Sequence, residues 1–179
     1  MNEIEKLREA KYFFSKMIKE RENWDVFRFS LSAFLSSARS VIQYALAEAE
    51  GKTGGQKWYD DWMTCSTILS FFKDKRDFNI HVSPVALRKH IKVEITDVLR
   101  LSDSVDIEVR GKNGELIESR HIEENQQSEK LPEPSAISET RYEFKDWSGT
   151  EDVITLCERY IQELEKLVED GIKRGYISG

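Results

Sequence analysis

Cysteine, histidine and proline are scarce in this 179-residue chain, and each shortage excludes something. The two cysteines, Cys65 and Cys157, stand alone in segments of helical periodicity, so no disulfide framework is available and both read as buried thiols of a reducing compartment. His81, His90 and His121 are scattered, so no Cys/His spacing suggests zinc. No carboxylate-rich loop of the kind that holds a hard cation stands out either, and neither a metal nor a cofactor is expected. Gly51 and Gly54-Gly55 close a helix instead of following a strand, which leaves the chain without a glycine-rich phosphate loop. Apolar runs never approach the ~18 residues that a membrane span requires. The acidic start Met1-Asn2-Glu3-Ile4-Glu5 lacks the basic residues and apolar run of a signal peptide. A cytoplasmic protein without a membrane partner is the expectation. Repeats and low-complexity tracts are missing too.

What is present suffices for a core. Hydrophobic residues make up 39% of the chain and aromatics 11%, against 34% charged residues and a mean hydropathy of -0.57. That balance describes a folded domain with a well-solvated surface. The net charge of -6 argues against a protein that coats duplex nucleic acid with its whole surface, because such binding needs a positive footprint. A local basic patch remains open.

Residues 2 to 21 predict an amphipathic helix, and Asp25 to Glu50 a second, with Asp25 capping its start and Gly51 ending it. In the second helix large residues (Phe27, Leu31, Phe34, Leu35, Ile42) alternate with a surface of Ser32, Ala33, Ser36, Ser37 and Ser40, the pattern of a central bundle helix. Arg39 lies within that small-residue surface, where it must find either a water-filled groove or a carboxylate such as Asp60 or Asp61. Gln56 to His81 predicts one helix or two short ones in series, with Pro84 marking the exit.

The period then changes. Ile91, Val93 and Ile95, and then Val105, Ile107 and Val109, alternate with charged residues, and Lys112-Asn113-Gly114 predicts a turn before a hairpin partner at Glu115 to Ile122. These strands are expected to be half buried and antiparallel. Residues 123 to 137 predict a polar, mobile loop and Arg141 to Trp147 a further strand. Ser148-x-x-Glu151 fits a capping box for a last helix running to about Lys173. The expected fold is α+β, mainly α. A single domain over 1–179 combines a helical bundle from 2–83 plus 148–175 with a small antiparallel β insertion at about 88–147, before the C-terminal helix.

One segment carries the makings of a site, Arg76-Asp77-Phe78-Asn79-Ile80-His81. Asp77 and His81 are one helical turn apart, so a carboxylate there is placed to orient an imidazole. Lys73, Lys75, Arg88 and Lys89 add positive charge nearby in sequence, as a phosphate site needs. The alternative for the same residues is a solvated helix end in which His81 complements the C-terminal dipole.

The run Phe34-Leu35-Ser36-Ser37-Ala38-Arg39-Ser40, taken with Phe71-Phe72-Lys73-Asp74-Lys75-Arg76-Asp77-Phe78-Asn79-Ile80-His81, resembles the HEPN superfamily (higher eukaryotes and prokaryotes nucleotide-binding domains). Its motif is Arg, a polar residue, a few variable positions and His, filled here by Arg76, Asp77 and His81. The resemblance covers roughly residues 2 to 83 with the closing helix, and the strand region lies outside it. It implies an up-and-down bundle that forms a homodimer in which two motifs face one cleft. It further implies either a metal-independent endoribonuclease of the toxin-antitoxin or defence kind, or a relative that has lost activity and only binds RNA, a nucleotide or a protein partner such as an antitoxin. In the first case Arg76, Asp77 and His81 are the catalytic residues, with Lys73, Lys75, Arg88 and Lys89 binding substrate. A structural interaction protein without a ligand is the third reading.

Overall fold

The structure is a computed structural model and describes residues 2–81, 84–96, 104–123 and 135–178. The chain is mainly α with a small β part, α+β in class. It divides into two compact units, Met1–Ile91 with Thr140–Gly179, and Lys92–Glu139.

The larger unit is built from α1 (Asn2–Lys19), α2 (Trp24–Glu50), α3 (Gly55–Cys65), α4 (Thr67–His81) and α5 (Val153–Lys173). α2 is the central helix and packs against the other four. Its Phe27, Leu31, Phe34, Leu35, Ala38, Ile42 and Ala45 are buried at helical spacing and meet Leu69 and Phe72 of α4 and Leu156, Tyr160 and Leu164 of α5. At the middle, Tyr160 stacks on Phe72 with ring centroids 4.4 Å apart, and Phe34 meets both rings edge-on.

The helix starts differ from expectation. α2 is capped by Asn23, whose side chain accepts from the Val26 amide at 3.2 Å, while Asp25 is already in the first turn and pairs with Arg28. α5 is capped by Asp152, which accepts from the Thr155 amide at 2.8 Å. Glu151 is turned away from the helix start by bonds from the Trp147 indole and Arg159, so the expected capping box with Ser148 does not form. The stretch from Gln56 to His81 is two helices. Ser66 between them is extended, and its hydroxyl accepts from the Leu69 amide at 3.3 Å to start α4. Gly54 turns the chain into α3 with φ of 83°, a left-handed conformation that a Cβ disfavours, and a Cβ on Gly55 would lie 1.9 Å from the Ala49 carbonyl.

Strands β1 (Leu87–Thr96) and β4 (Ser135–Phe144) pair in one two-stranded sheet, and β2 (Ser104–Arg110) and β3 (Leu116–Glu123) in another, antiparallel one. Both bounds of the last strand, Ser135–Phe144, lie earlier than the expected Arg141 to Trp147. The expected loop is thus shortened at its end, and 124–134 lies outside the described residues. β4 ends in the core of the larger unit. Tyr142 stacks on Phe27 at 4.0 Å, and its hydroxyl donates to the Arg21 carbonyl at 2.8 Å. The expectation of half-buried strands does not hold along β1 and β2, where Ile91, Val93, Ile107 and Val109 are exposed.

Candidate functional site

α4 brings the motif to the bundle. Leu69, Phe72, Arg76 and Asn79 recur at spacings of three and four and so share one stripe. Leu69 and Phe72 are core residues, which draws Arg76 and Asn79 inward after them. Arg76 is 23% exposed at its side chain, and its buried Nε has no hydrogen-bond partner. Its Nη1 donates to Asp77 Oδ1 at 3.0 Å. Asn79, which the sequence does not single out, ties the helix down at two points. Its Nδ2 donates to the Ser32 hydroxyl of α2 at 2.9 Å, and its Oδ1 accepts from the Val85 amide at 3.4 Å. α4 runs unbroken from Arg76 to its last residue, His81, whose side chain lies outside the described residues, as does the expected contact between Asp77 and that imidazole.

The four basic residues expected around the motif go different ways. Lys73 is exposed, with no ion pair among the described residues. Lys75 is turned inward, 8% exposed, with its ammonium on Asp146 and 5.0 Å from the Phe71 ring centroid. Burial lowers its pKa from the ordinary value, opposed by the charge of Asp74. Arg88 and Lys89 are adjacent on β1 and therefore point to opposite faces. Arg88 lies 3.7 Å from Glu143, which His90 also reaches at 3.1 Å, and Lys89 is exposed.

Deeper in the bundle, Arg39 makes no ion pair with Asp60 or Asp61. Those carboxylates are held within α3, Asp60 by Gln56 and Asp61 by Lys57, one turn back in each case. Arg39 instead leaves Nε and Nη1 buried without partners, and the buried hydroxyl of Tyr160 is also without one. Burial drives the Tyr160 pKa far above its ordinary value, opposed by the positive charge of Arg39, so the hydroxyl stays protonated. Cys157 is buried as expected and its thiol is raised well above the ordinary value by burial. Cys65 is exposed. It ends α3 at the rim of a groove, where the helix break at Ser66 leaves it uncovered.

Two concavities border these elements. One, of about 300 Å³, is lined by Asp74, Lys75 and Phe78 of α4 with Val85, Ala86, Lys145 and Asp146. The larger, of about 590 Å³, lies between α3 and α5, away from the motif. Its floor is the Asp170 carboxylate, which accepts from Trp58 Nε1 at 2.7 Å and Trp62 Nε1 at 3.1 Å. Among the described residues, no group of three His, Cys, Asp or Glu side chains is placed to hold a metal ion. None of the helices among them is long and apolar enough to cross a membrane.

The fold and the α4 constellation define a mainly α protein with one charged helix end packed on its central helix. No family model matches the chain, and neither a curated protein nor a solved structure matches it significantly.

Proposed function

We propose that the protein is a HEPN-like, metal-independent endoribonuclease that cleaves RNA by attack of a ribose 2′-hydroxyl on the adjacent phosphate. The observation that carries this reading is the Arg76, Asp77, His81 motif on one continuous helix, with Arg76 drawn to the bundle surface and its Nε unpartnered. His81, with a reference pKa near ~6.5, exchanges the proton of the attacking hydroxyl or the leaving oxygen. Arg76 stabilises charge developing on the phosphate through its guanidinium donors. Asp77 holds the histidine, and Lys73 adds positive charge at the exposed side of the helix. Two motifs in a homodimer would share one cleft. The test compares wild-type protein, Arg76→Ala and His81→Ala on single-stranded RNA, each with and without a chelator. Cleavage by the wild type alone, unaffected by chelator, supports the reading; equal rates for wild type and His81→Ala sink it.

A specific contact favours a second reading. The Asp77 carboxylate occupies Arg76 Nη1, and Lys75 is committed to Asp146, which reduces the free positive charge at the motif. A catalytically inactive module that binds RNA, a nucleotide or a partner protein fits that arrangement. Arg76-dependent RNA binding without any product identifies this case.

A further inference from the structure

Lys75 takes no part in the proposed cleavage, yet its surroundings are not those of an ordinary surface lysine. It is buried, its Nζ donates to the Asp146 carboxylate, and the ring centroids of Phe71 and Phe144 lie 5.0 and 6.0 Å from that nitrogen. Lys75 and Asp146 together line the cavity of about 300 Å³ beside α4. Small-molecule sites span about 300–1,000 Å³, so this one suits a small ligand. Phe78, Val85 and Ala86 give it apolar walls. Asp74 and Lys145 also border it, so the lining holds two carboxylates and two ammonium groups, with no net charge. An uncharged ligand with an apolar body fits that lining best.

We propose that this cavity takes a small apolar aldehyde, which Lys75 captures as an imine while Asp146 carries the proton. The Lys75 ammonium passes one proton to Asp146, and the neutral amine attacks the carbonyl carbon. A second amine proton moves to the former carbonyl oxygen, giving a neutral carbinolamine. Asp146 returns its proton to that hydroxyl, the C–O bond breaks, and water leaves as the nitrogen lone pair closes the C=N bond. The products are a protonated imine, the Asp146 carboxylate and one water. No oxidant, reductant or further reactant enters the step.

Three features set this pair apart from a merely structural one. Burial lowers the Lys75 pKa, which raises the share of nucleophilic amine above that of an exposed lysine. The protonated imine keeps its positive charge on the same nitrogen, so the contacts with Asp146 and the two rings are retained in the product. The Asp146 side chain is itself 62% exposed, which leaves the departing water a route to solvent.

This site is independent of RNA cleavage, and its test needs no RNA. The full chain is incubated with benzaldehyde and cyanoborohydride, which reduces each imine to a stable benzylamine, and the rate of labelling at each lysine is read by peptide mass spectrometry. Lys75 is labelled about tenfold or more faster than the exposed Lys73 and Lys89 of the same molecules. Glyoxylate, an aldehyde of similar reactivity but with a negative charge and no apolar body, gives Lys75 no such advantage. Ala86→Phe fills the cavity from an exposed position and brings benzaldehyde labelling of Lys75 down to the rate of Lys73. Benzaldehyde labelling of Lys75 no faster than that of Lys73 and Lys89 overturns the inference. An advantage that is equal with glyoxylate, or that survives Ala86→Phe, overturns it as well, since either result separates the reactivity of Lys75 from the cavity.

Discussion

The side-chain amide of Asn79 donates to the Ser32 hydroxyl at 2.9 Å, and this bond fastens the last turns of α4 to the central helix α2. Through the same side chain the Val85 amide is held on the far side of the α4 terminus. Asn79 is therefore a positioning residue for the Arg76 to His81 segment. Asn79→Ala breaks both bonds, and the expected cost is about 1–2 kcal/mol of stability, read from the denaturant midpoint. If RNA cleavage is present, kcat falls with it, while Asn79→Asp, which keeps one acceptor, loses less. No change in either quantity would show that the helix end is held by its apolar contacts alone.

Removing the Tyr160 hydroxyl is expected to do the reverse. The group is buried without a hydrogen-bond partner, and its ring carries the stack on Phe72. Tyr160→Phe keeps the stack and removes a desolvated polar atom, so the thermal midpoint stays level or rises, by up to about 1 kcal/mol in stability. Arg39→Met follows the same logic, because an apolar chain of similar length replaces two unpartnered guanidinium nitrogens. A loss of several kcal/mol in Arg39→Met would mean that an acceptor meets Arg39 in solution.

Acid sensitivity should run through Glu151. The Trp147 indole N–H is the largest influence lowering its carboxyl from the ordinary 4.5 to about 2, joined by its own backbone amide and Arg159. A folded pKa below the unfolded one contributes stability above the unfolded value and loses it as pH falls toward the folded one. Wild-type protein therefore loses this contribution between about pH 4.5 and pH 2, the window set by those two values. Glu151→Gln should lower the thermal midpoint at pH 7, with the gap to wild type closing as pH approaches 2. A gap that is constant with pH would contradict the assignment.

Core packing provides a plain control. Phe72 is fully buried between Phe34 and Tyr160, and Phe72→Ala should cost about 3–5 kcal/mol by leaving a cavity at the junction of α2, α4 and α5. Denaturant unfolding reads it. A cost below about 1 kcal/mol would mean that the three helices close up around the vacancy.

The helices were legible because their apolar spacing survives any choice of cap. The caps themselves were not: Asn23 and Asp25 stand two residues apart at one helix start, and Ser148, Glu151 and Asp152 compete at another, and spacing cannot tell which oxygen reaches the amide. Strand alternation at Ile107 and Val109 showed the period but not what covers the face, and nothing described covers it. Arg39 does not reach Asp60 or Asp61, because both carboxylates have closer partners one turn away on their own helix. At the site, the core stripe through Leu69 and Phe72 was written in the sequence and carries Arg76 and Asn79 inward. Asn79 escaped notice because its two bonds reach Ser32 and Val85, which only the fold brings near.

The most direct measurement of the proposed activity uses a defined single-stranded RNA and its copy with one 2′-deoxynucleotide at the cleavage position. The account predicts that wild-type protein cuts the all-ribose strand in the presence of chelator, leaves a 2′,3′-cyclic phosphate, spares the deoxy position, and loses the reaction in His81→Ala. Cleavage at the deoxy position, or a product ending in a plain 3′-hydroxyl, would contradict it.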